Sequence, residues 1–524
     1  MPGDRRKRAR SAWWAPLAGF LALLFCGCGS YPLPAILSSP SPAPSTAGLG
    51  GQPPAGRAGP ASTGGGPTYA ALGRSALRTL EHEYYDGAGK WNLCVPLRCS
   101  RSNRDWGADS LTFVLFLHWA LTGDARVAGI MNALTATAPS THGGGSDVPL
   151  WDSIAAAREY QVTRNPAALR LAVSDFGYVA GNASRFFALG ACPGILYQHR
   201  HGGGTKLKTL ETGSNYIKAA LLLYEITRRR GYLVQAEDQY QAVRRYFLSS
   251  TVPLYTVYVF DNKSSCQQVP AQYFASVNGT MIWDGYTLAQ VTGDRGYLSE
   301  AIATARAVAA HLGDATGVYA DLQAENDVAE PLIEAMYDLA AFAHQGFARH
   351  WLLTAAGASA ASVAARTGAY ARFFGGPPSP APVTAWQVNG GLALAQVAAA
   401  LDPGGRPGDR GFWAGAPFVA DNLTMTSGPV RFTFTGRAVA LVGTIGDQCC
   451  EAGHAQLLID GAQTFDETGI WQNKSSSGIP IPDSVLFAWR WPGPGRHTIE
   501  ITPAAQNAKQ GGSYFHMIGY YVVK

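Results

Sequence analysis

One phrase recurs four times in this chain and limits what it can fold into. An apolar helical run ends in Thr, turns, and starts another helix: 117-LHWALTGDARVAGI-130, 158-REYQVTRNPAALRL-171, 223-LYEITRRRGYLVQA-236 and 288-LAQVTGDRGYLSEA-301. The Thr falls at 122, 163, 227 and 292, at spacings of 41, 64 and 65 residues. Each phrase reads as a helix C-terminus, a tight turn and the next N-terminus, so each unit is a helical hairpin. A lone hairpin cannot bury its apolar face, whereas repeated hairpins stack and do so. Further helices are expected at 328-VAEPLIEAMYDLAAFAHQ-345 and 385-AWQVNGGLALAQVAAALD-402. Five or six such hairpins closing on themselves make an (α/α)6 toroid over residues 68–402. An open helical solenoid is the alternative.

Past a linker at 403–411 the pattern changes. Short apolar or alternating runs follow, at 430-VRFTFTG-436, 438-AVALVG-443, 455-AQLLIDG-461, 485-VLFAWRW-491, 496-RHTIEIT-502 and 514-YFHMIGYYVV-523. Gly, Pro and Asp bound them, as in an antiparallel sandwich. The expected fold class is multi-domain: the all-α toroid, then an all-β jelly-roll sandwich over 412–524. Hydrophobic residues make up 47% and charged residues 15% of the 524, enough apolar content for sizeable cores. Of the formal charge of +5, Arg5, Arg6, Lys7, Arg8 and Arg10 against Asp4 supply +4, leaving about +1 for the rest. That balance argues against a nucleic-acid partner. Thirteen Trp and 23 Tyr suit sugar surfaces, since flat rings that also hydrogen-bond can do both jobs there.

The N-terminus reads as an export signal. A basic run, 5-RRKRAR-10, precedes 12-AWWAPLAGFLALLF-25, which is too short and too broken by Pro to span a bilayer. It ends in 25-FCGCGS-30, similar to a bacterial lipoprotein signal with Cys28 as the lipidated residue. An ordinary secretory signal is the alternative. Residues 1–28 are then the signal, and 29–67, rich in Pro, Gly, Ser and Ala, a tether. The expected location is the outer face of a bacterial membrane, held through the lipid alone, or the medium if Cys28 is not lipidated. Export makes disulfides plausible, and Cys94–Cys99 is the expected pair. The pairing of Cys192, Cys266, Cys449 and Cys450 stays open. No metal or cofactor motif is present, and neither is expected.

The helical region resembles glycoside hydrolase family 76, whose known members are endo-α-1,6-mannanases. The resemblance rests on four phrases in order: 106-WGADSLTFVLFLHWALTGD-124, 146-SDVPLWDSIAAAREYQVT-163, 191-ACPGILYQ-198 with 208-KTLETGSNYIKAALLLYEIT-227, and 276-SVNGTMIWDGYTLAQVTGDRGYL-298. The C-terminal region resembles the galactose-binding-like jelly rolls appended to glycan enzymes, through 432-FTFTGRAVALVGTIGDQCCEAGHAQLLIDG-461, with Trp471 and Trp489 as its candidate contacts.

The family's catalytic signature is Asp-Asp followed, after two residues, by Trp-Trp. Here the acids fall on Asp147 and Val148, and the Trp pair on Trp151 and Asp152. One carboxylate is kept and its partner is lost. Glycoside hydrolysis needs one carboxylate at the anomeric carbon and a protonated second group at the leaving oxygen. The candidate catalytic residues are therefore Asp147 and Asp152. Candidate substrate contacts are Trp151, Trp106, Asn278, Asp284 and Glu211, and Asp284 or Glu211 could instead supply a displaced acid. Pro149 reads as the first helical residue, leaving Asp147 outside the helix. The resemblance implies a glycoside hydrolase on α-linked mannan or a related polysaccharide, acting as a monomer on a poly- or oligosaccharide. An inactive glycan-binding protein on the same scaffold is the alternative.

Overall fold

A computed structural model describes residues 66–524 apart from 97–99, 139–141, 143–144, 183–185, 188–189, 198–206, 262–263, 269–272, 321–327, 380–381, 426–428, 446–453, 464–469, 472–480 and 504–514. The expected signal, Cys28, the tether as far as residue 65, Cys99, Cys449 and Cys450 lie outside the described residues. Twelve α-helices are described: α1 (Tyr69–Thr79), α2 (Trp106–Thr122), α3 (Arg126–Thr137), α4 (Asp147–Thr163), α5 (Pro166–Ala180), α6 (Leu210–Thr227), α7 (Arg230–Phe247), α8 (Ala275–Thr292), α9 (Arg295–His311), α10 (Glu330–Ala341), α11 (Gly346–Ser359) and α12 (Ala385–Leu401).

The even-numbered helices pack in succession, and α12 packs back on α2, so the ring closes and is not an open solenoid. Each odd-numbered helix lies outside against an inner one, with α1 against α12. Composition explains the split. Residues 107–118 of α2 are all buried, as are 385–398 of α12. A helix that is apolar all round belongs inside. The outer α7 buries only one stripe: Ala236, Gln239, Tyr240, Val243 and Phe247. Because each outer helix returns the chain, the six inner helices run in one sense and their N-termini gather at one end.

The recurring Thr phrase is a structural device. Thr122, Thr163, Thr227 and Thr292 each donate a hydroxyl hydrogen bond of 2.7 Å to the carbonyl four residues back. Each accepts one from the backbone N–H two residues on. The intervening residue is left-handed in every copy: Gly123, Arg164, Arg228 and Gly293. The Thr thus adds a second bond to a carbonyl of the last helical turn and starts the turn that launches the outer helix. In two copies the following Asn165 or Asp294 caps the next helix, and in the first Asp124, one residue before the N-cap, accepts from Arg126 N–H.

A small antiparallel sheet, β1 (Leu207–Thr209), β2 (Tyr258–Asp261) and β3 (Cys266–Gln268), leads into the N-terminus of α6. A disulfide joins Cys192 to Cys266. Cys94 is also disulfide-bonded, and its expected partner Cys99 lies outside the described residues.

Among its described residues the C-terminal region forms a seven-stranded antiparallel sheet: β4 (Phe418–Met425), β5 (Val430–Ile445), β6 (His454–Ile459), β7 (Ala462–Gln463), β8 (Ile470–Trp471), β9 (Ile481–Pro503) and β10 (Phe515–Val523). The order is β7-β6-β9-β5-β10-β4, with β8 on β6. Two pairs of expected strands are each one long strand. The 430 and 438 runs join through Gly436 into β5, and the 485 and 496 runs join through 492-PGPG-495 into β9. The register shifts between Arg490 and Gly495, so the Pro-Gly stretch is absorbed as an irregularity and not as a turn. The edge strand β4 was not expected, because Asp421 and Asn422 at its centre look like turn residues.

The linker does not swing free. Arg490 of β9 donates to the Gly375 carbonyl at 2.8 Å and pairs with Asp409 at 2.6 Å. Trp413 also donates to Gly375, and Ala361 and Phe373 of the helical body share an apolar cluster with Ala438, Val485 and Ala488 of the sheet. No helix among the described residues is long and apolar enough to cross a membrane.

Candidate active site

The axis of the ring is stoppered by charge. Glu334 of α10 accepts from Arg158 of α4, on the far side of the ring, and from Lys218 of α6 at 2.5 Å. Aromatic rings hold the two cations. Arg158 lies over Phe116 at 4.0 Å, and Lys218 over Trp283 at 4.8 Å. Burial pushes the Glu334 carboxyl up, but the two cations outweigh it and hold the group below its usual range. Two neighbours respond the opposite way. Glu330, one turn nearer the N-terminal end, is pushed up to about 8 by burial and by the Glu334 charge. Burial raises Asp284 well above the usual range against the pull of Lys218. Its two carboxylate oxygens meet no hydrogen-bond partner among the described residues.

The stopper fixes which helix faces line the axis. Asp147 lies eleven residues before Arg158 and Glu211 seven before Lys218. At about 100° per residue, each falls within roughly 20° of its own axial cation. Asp147 therefore stands on the axial stripe of α4, at the mouth above the stopper, and Glu211 on that of α6. Both are half-buried. Trp151, one turn in from Asp147, donates its indole N–H to Glu211 Oε1 at 2.9 Å and so ties the two helix starts together.

Loops brace the same pair from outside. Ser146, just before Asp147, donates to the Tyr197 carbonyl at 2.5 Å. Asp261 of β2 pairs with Lys208 of β1, three residues before Glu211, and this ion pair is buried. Lys208 lies over the Tyr197 ring at 4.2 Å. The Cys192–Cys266 disulfide clamps the loop that carries Tyr197 to the sheet that carries Lys208.

Asp147 is itself the first residue of α4, with Ser146 as the flanking residue, so Pro149 is third and not first. With both acids helical, Asp147 and Asp152 diverge by about 140°. Asp152 is carried behind the ring wall, 0% exposed. Its carboxyl lies beside that of Asp109 on α2. Burial, then the Asp152 charge, raises Asp109 well above the carboxylate range. Arg104 faces the pair and makes a two-bond clamp on Glu159 at 3.0 and 2.8 Å. Asp175 is pushed up to about 6 by burial and by Asp152, against His142, which sits 2.9 Å away. The structure puts Asp152 on a different face of α4 from Asp147 and buries it.

The other candidates divide. Trp151 is 1% exposed and stacks on Phe113, so its visible task is to hold Glu211. Trp106 opens α2 at the mouth, half-buried against Trp386 of α12, with ring centroids 4.9 Å apart. Asn278 spends its amide on backbone, accepting from Tyr255 N at 2.9 Å and donating to Tyr255 O at 3.1 Å. Asp284 sits near the stopper and not at the mouth. Sequence reasoning missed Arg158, Lys218, Glu330, Glu334 and Trp386. The available signal was charge on otherwise apolar helices, at spacings of four and seven.

No family model matches the chain, and no curated protein matches it. Solved structures do match, over the length of the helical body. A family 76 α-1,6-mannanase from Salegentibacter sp. HEL1_6 aligns at 18% identity and a TM-score of 0.56, covering 64% of this chain and all of that one. An inactive variant of the same enzyme was solved with α-1,6-mannotriose and aligns at 17% identity with the same TM-score and coverage. A family 76 α-mannanase from Bacteroides thetaiotaomicron aligns at 17% identity and 0.54, covering 65% of this chain and 97% of that one. At such identities the likeness is one of fold: the helical body of this chain is a toroid of the kind on which family 76 mannanases are built.

Proposed function

We propose that this chain is an exported glycoside hydrolase acting on α-linked mannan or a related polysaccharide. The observation that carries the reading is Asp147, on the same stripe of α4 as Arg158 and at the end of the ring where the inner helices begin, above the cluster of Glu334, Arg158 and Lys218. A blind acidic cleft at the N-termini of the inner helices holds a sugar chain against a fixed carboxylate. Asp147 is the nucleophile, favoured as an anion by its place at the start of α4. A second reading, glycan binding without turnover, is favoured by Val148 beside it, which can neither give nor take a proton. The test is incubation with a panel of α-mannans and product analysis, wild type against Asp147→Asn. Turnover that survives the substitution rules out Asp147 as nucleophile; binding without products favours the second reading.

The remaining assignments belong to the same proposal. The 25-FCGCGS-30 motif supports lipidation at Cys28 and a location on the outer membrane face, tested by labelling with a fatty acid in wild type and Cys28→Ser. The order of the C-terminal strands supports a jelly-roll-like module with a glycan-binding role, and the chain acts as a monomer.

A further inference from the structure

We infer that Glu211 is the second catalytic carboxylate, taking over from a neighbouring helix the task that Val148 cannot perform. The inference rests on the hydrolase reading above. Three independent observations place Glu211 there. Its spacing from Lys218 sets it on the axial face of α6, because Lys218 reaches Glu334 at the axis. The Trp151 indole ties its carboxylate to α4, one turn from Asp147. The buried Lys208–Asp261 pair and the Ser146–Tyr197 bond hold the two helix starts in one rigid frame. Asp152, the other candidate on α4, is behind the wall, whereas Glu211 is half-buried at the mouth.

The Trp151 bond suits a group that cycles its proton. An indole N–H only donates, so it needs an acceptor in both states of the carboxyl. Oε1 is an acceptor whether Glu211 is ionised or protonated, and the proton resides on Oε2. In the first step the glycosidic C1–O bond breaks, the Asp147 carboxylate bonds to C1, and the Glu211 proton passes to the leaving oxygen. In the second, water bonds to C1, its proton passes to Glu211, and the C1–Asp147 bond breaks. Both side chains end as they began, and one water is consumed. Trp151 is a positioning residue in this scheme.

The test compares wild type, Asp147→Asn, Glu211→Gln and Trp151→Phe on two substrates: an α-1,6-linked mannotetraose, and a dinitrophenyl α-1,6-mannobioside whose leaving group needs no proton. Glu211→Gln is expected to lower kcat on the tetraose by about 10²-fold or more and on the aryl glycoside by less than about tenfold. Asp147→Asn loses both. Trp151→Phe removes the N–H together with part of the ring, and with the N–H a bond that favours the ionised carboxylate. It is expected to move the alkaline limb of kcat/KM upward, a readout that also serves if Glu211→Gln folds poorly. An equal loss on both substrates in Glu211→Gln, with an unmoved limb in Trp151→Phe, overturns the proton-transfer role. Tetraose turnover within threefold of wild type in Glu211→Gln, while Asp147→Asn is dead, overturns the assignment and leaves the hydrolase reading standing. A wild type that cleaves neither substrate overturns both.

Discussion

At the scale of single residues, buried charge is the costliest feature of this chain. Lys218, Arg158 and Glu334 are each less than a tenth exposed. Removing one member leaves an uncompensated charge in the core, so Lys218→Met is expected to destabilise by about 3 kcal/mol in urea unfolding. A loss below about 1 kcal/mol would mean the stopper is wet. Glu330 makes a pH prediction. Its folded pKa of about 8 lies above its ordinary 4.5, so the folded chain holds more protons between those values. Stability from this group is therefore greatest below the lower value and falls as pH rises through about 8. From pH 6 to 9 wild type is expected to lose on the order of 2 kcal/mol more than Glu330→Gln, read from melting curves. Identical slopes for the two would remove Glu330 as the cause. Asp147 was legible in the sequence because it sits in a phrase similar to a family signature. Glu211 was legible only as an acid at a helix start, since its relation to Asp147 runs through an indole on another helix.

At the scale of elements, the Thr phrase was visible in the sequence and its chemistry was not. The hydroxyl's two bonds and the left-handed residue after it appear only once the chain turns. Two of the four left-handed positions hold Arg, where a Cβ is strained. Arg228→Gly is expected to stabilise by about 1 kcal/mol, and Thr227→Val to destabilise by about 1 kcal/mol, in equilibrium unfolding. A destabilised Arg228→Gly would show that the side chain outweighs the strain. Inner helices were also legible, because a run buried on every side is apolar on every side. Their first residues were not. Pro149 suggested a start two residues late, and the bond from Ser146 to the Tyr197 loop draws the helix back to Asp147. The long strands β5 and β9 escaped for a related reason: Gly436 and 492-PGPG-495 look like turns until pairing with a neighbour carries the strand through them.

At the scale of the whole molecule, two ties cross long stretches of chain. The Cys192–Cys266 disulfide spans 74 residues, and replacing both with Ala is expected to cost about 4 kcal/mol if chain entropy dominates. Because that bridge frames Asp147 and Glu211, turnover should fall at temperatures where the variant is still folded. Full activity there would detach the bridge from the site. The second tie is Arg490, which binds the sheet to Gly375 and Asp409. Arg490→Ala is expected to split one calorimetric transition into two, as helical body and sheet come apart. The sequence by itself determined the repeated hairpins and the change to strands after residue 411. These depend on local hydrophobic period and on neighbours in the chain, which a sequence displays directly. Only the tertiary structure decided that the ring closes, that its axis is stoppered, that Asp152 is buried away from Asp147 and that Trp151 ties Glu211 to α4. Those facts depend on the angle of each helix about its own axis relative to partners up to 323 residues away, and that angle is set by packing of the closed ring.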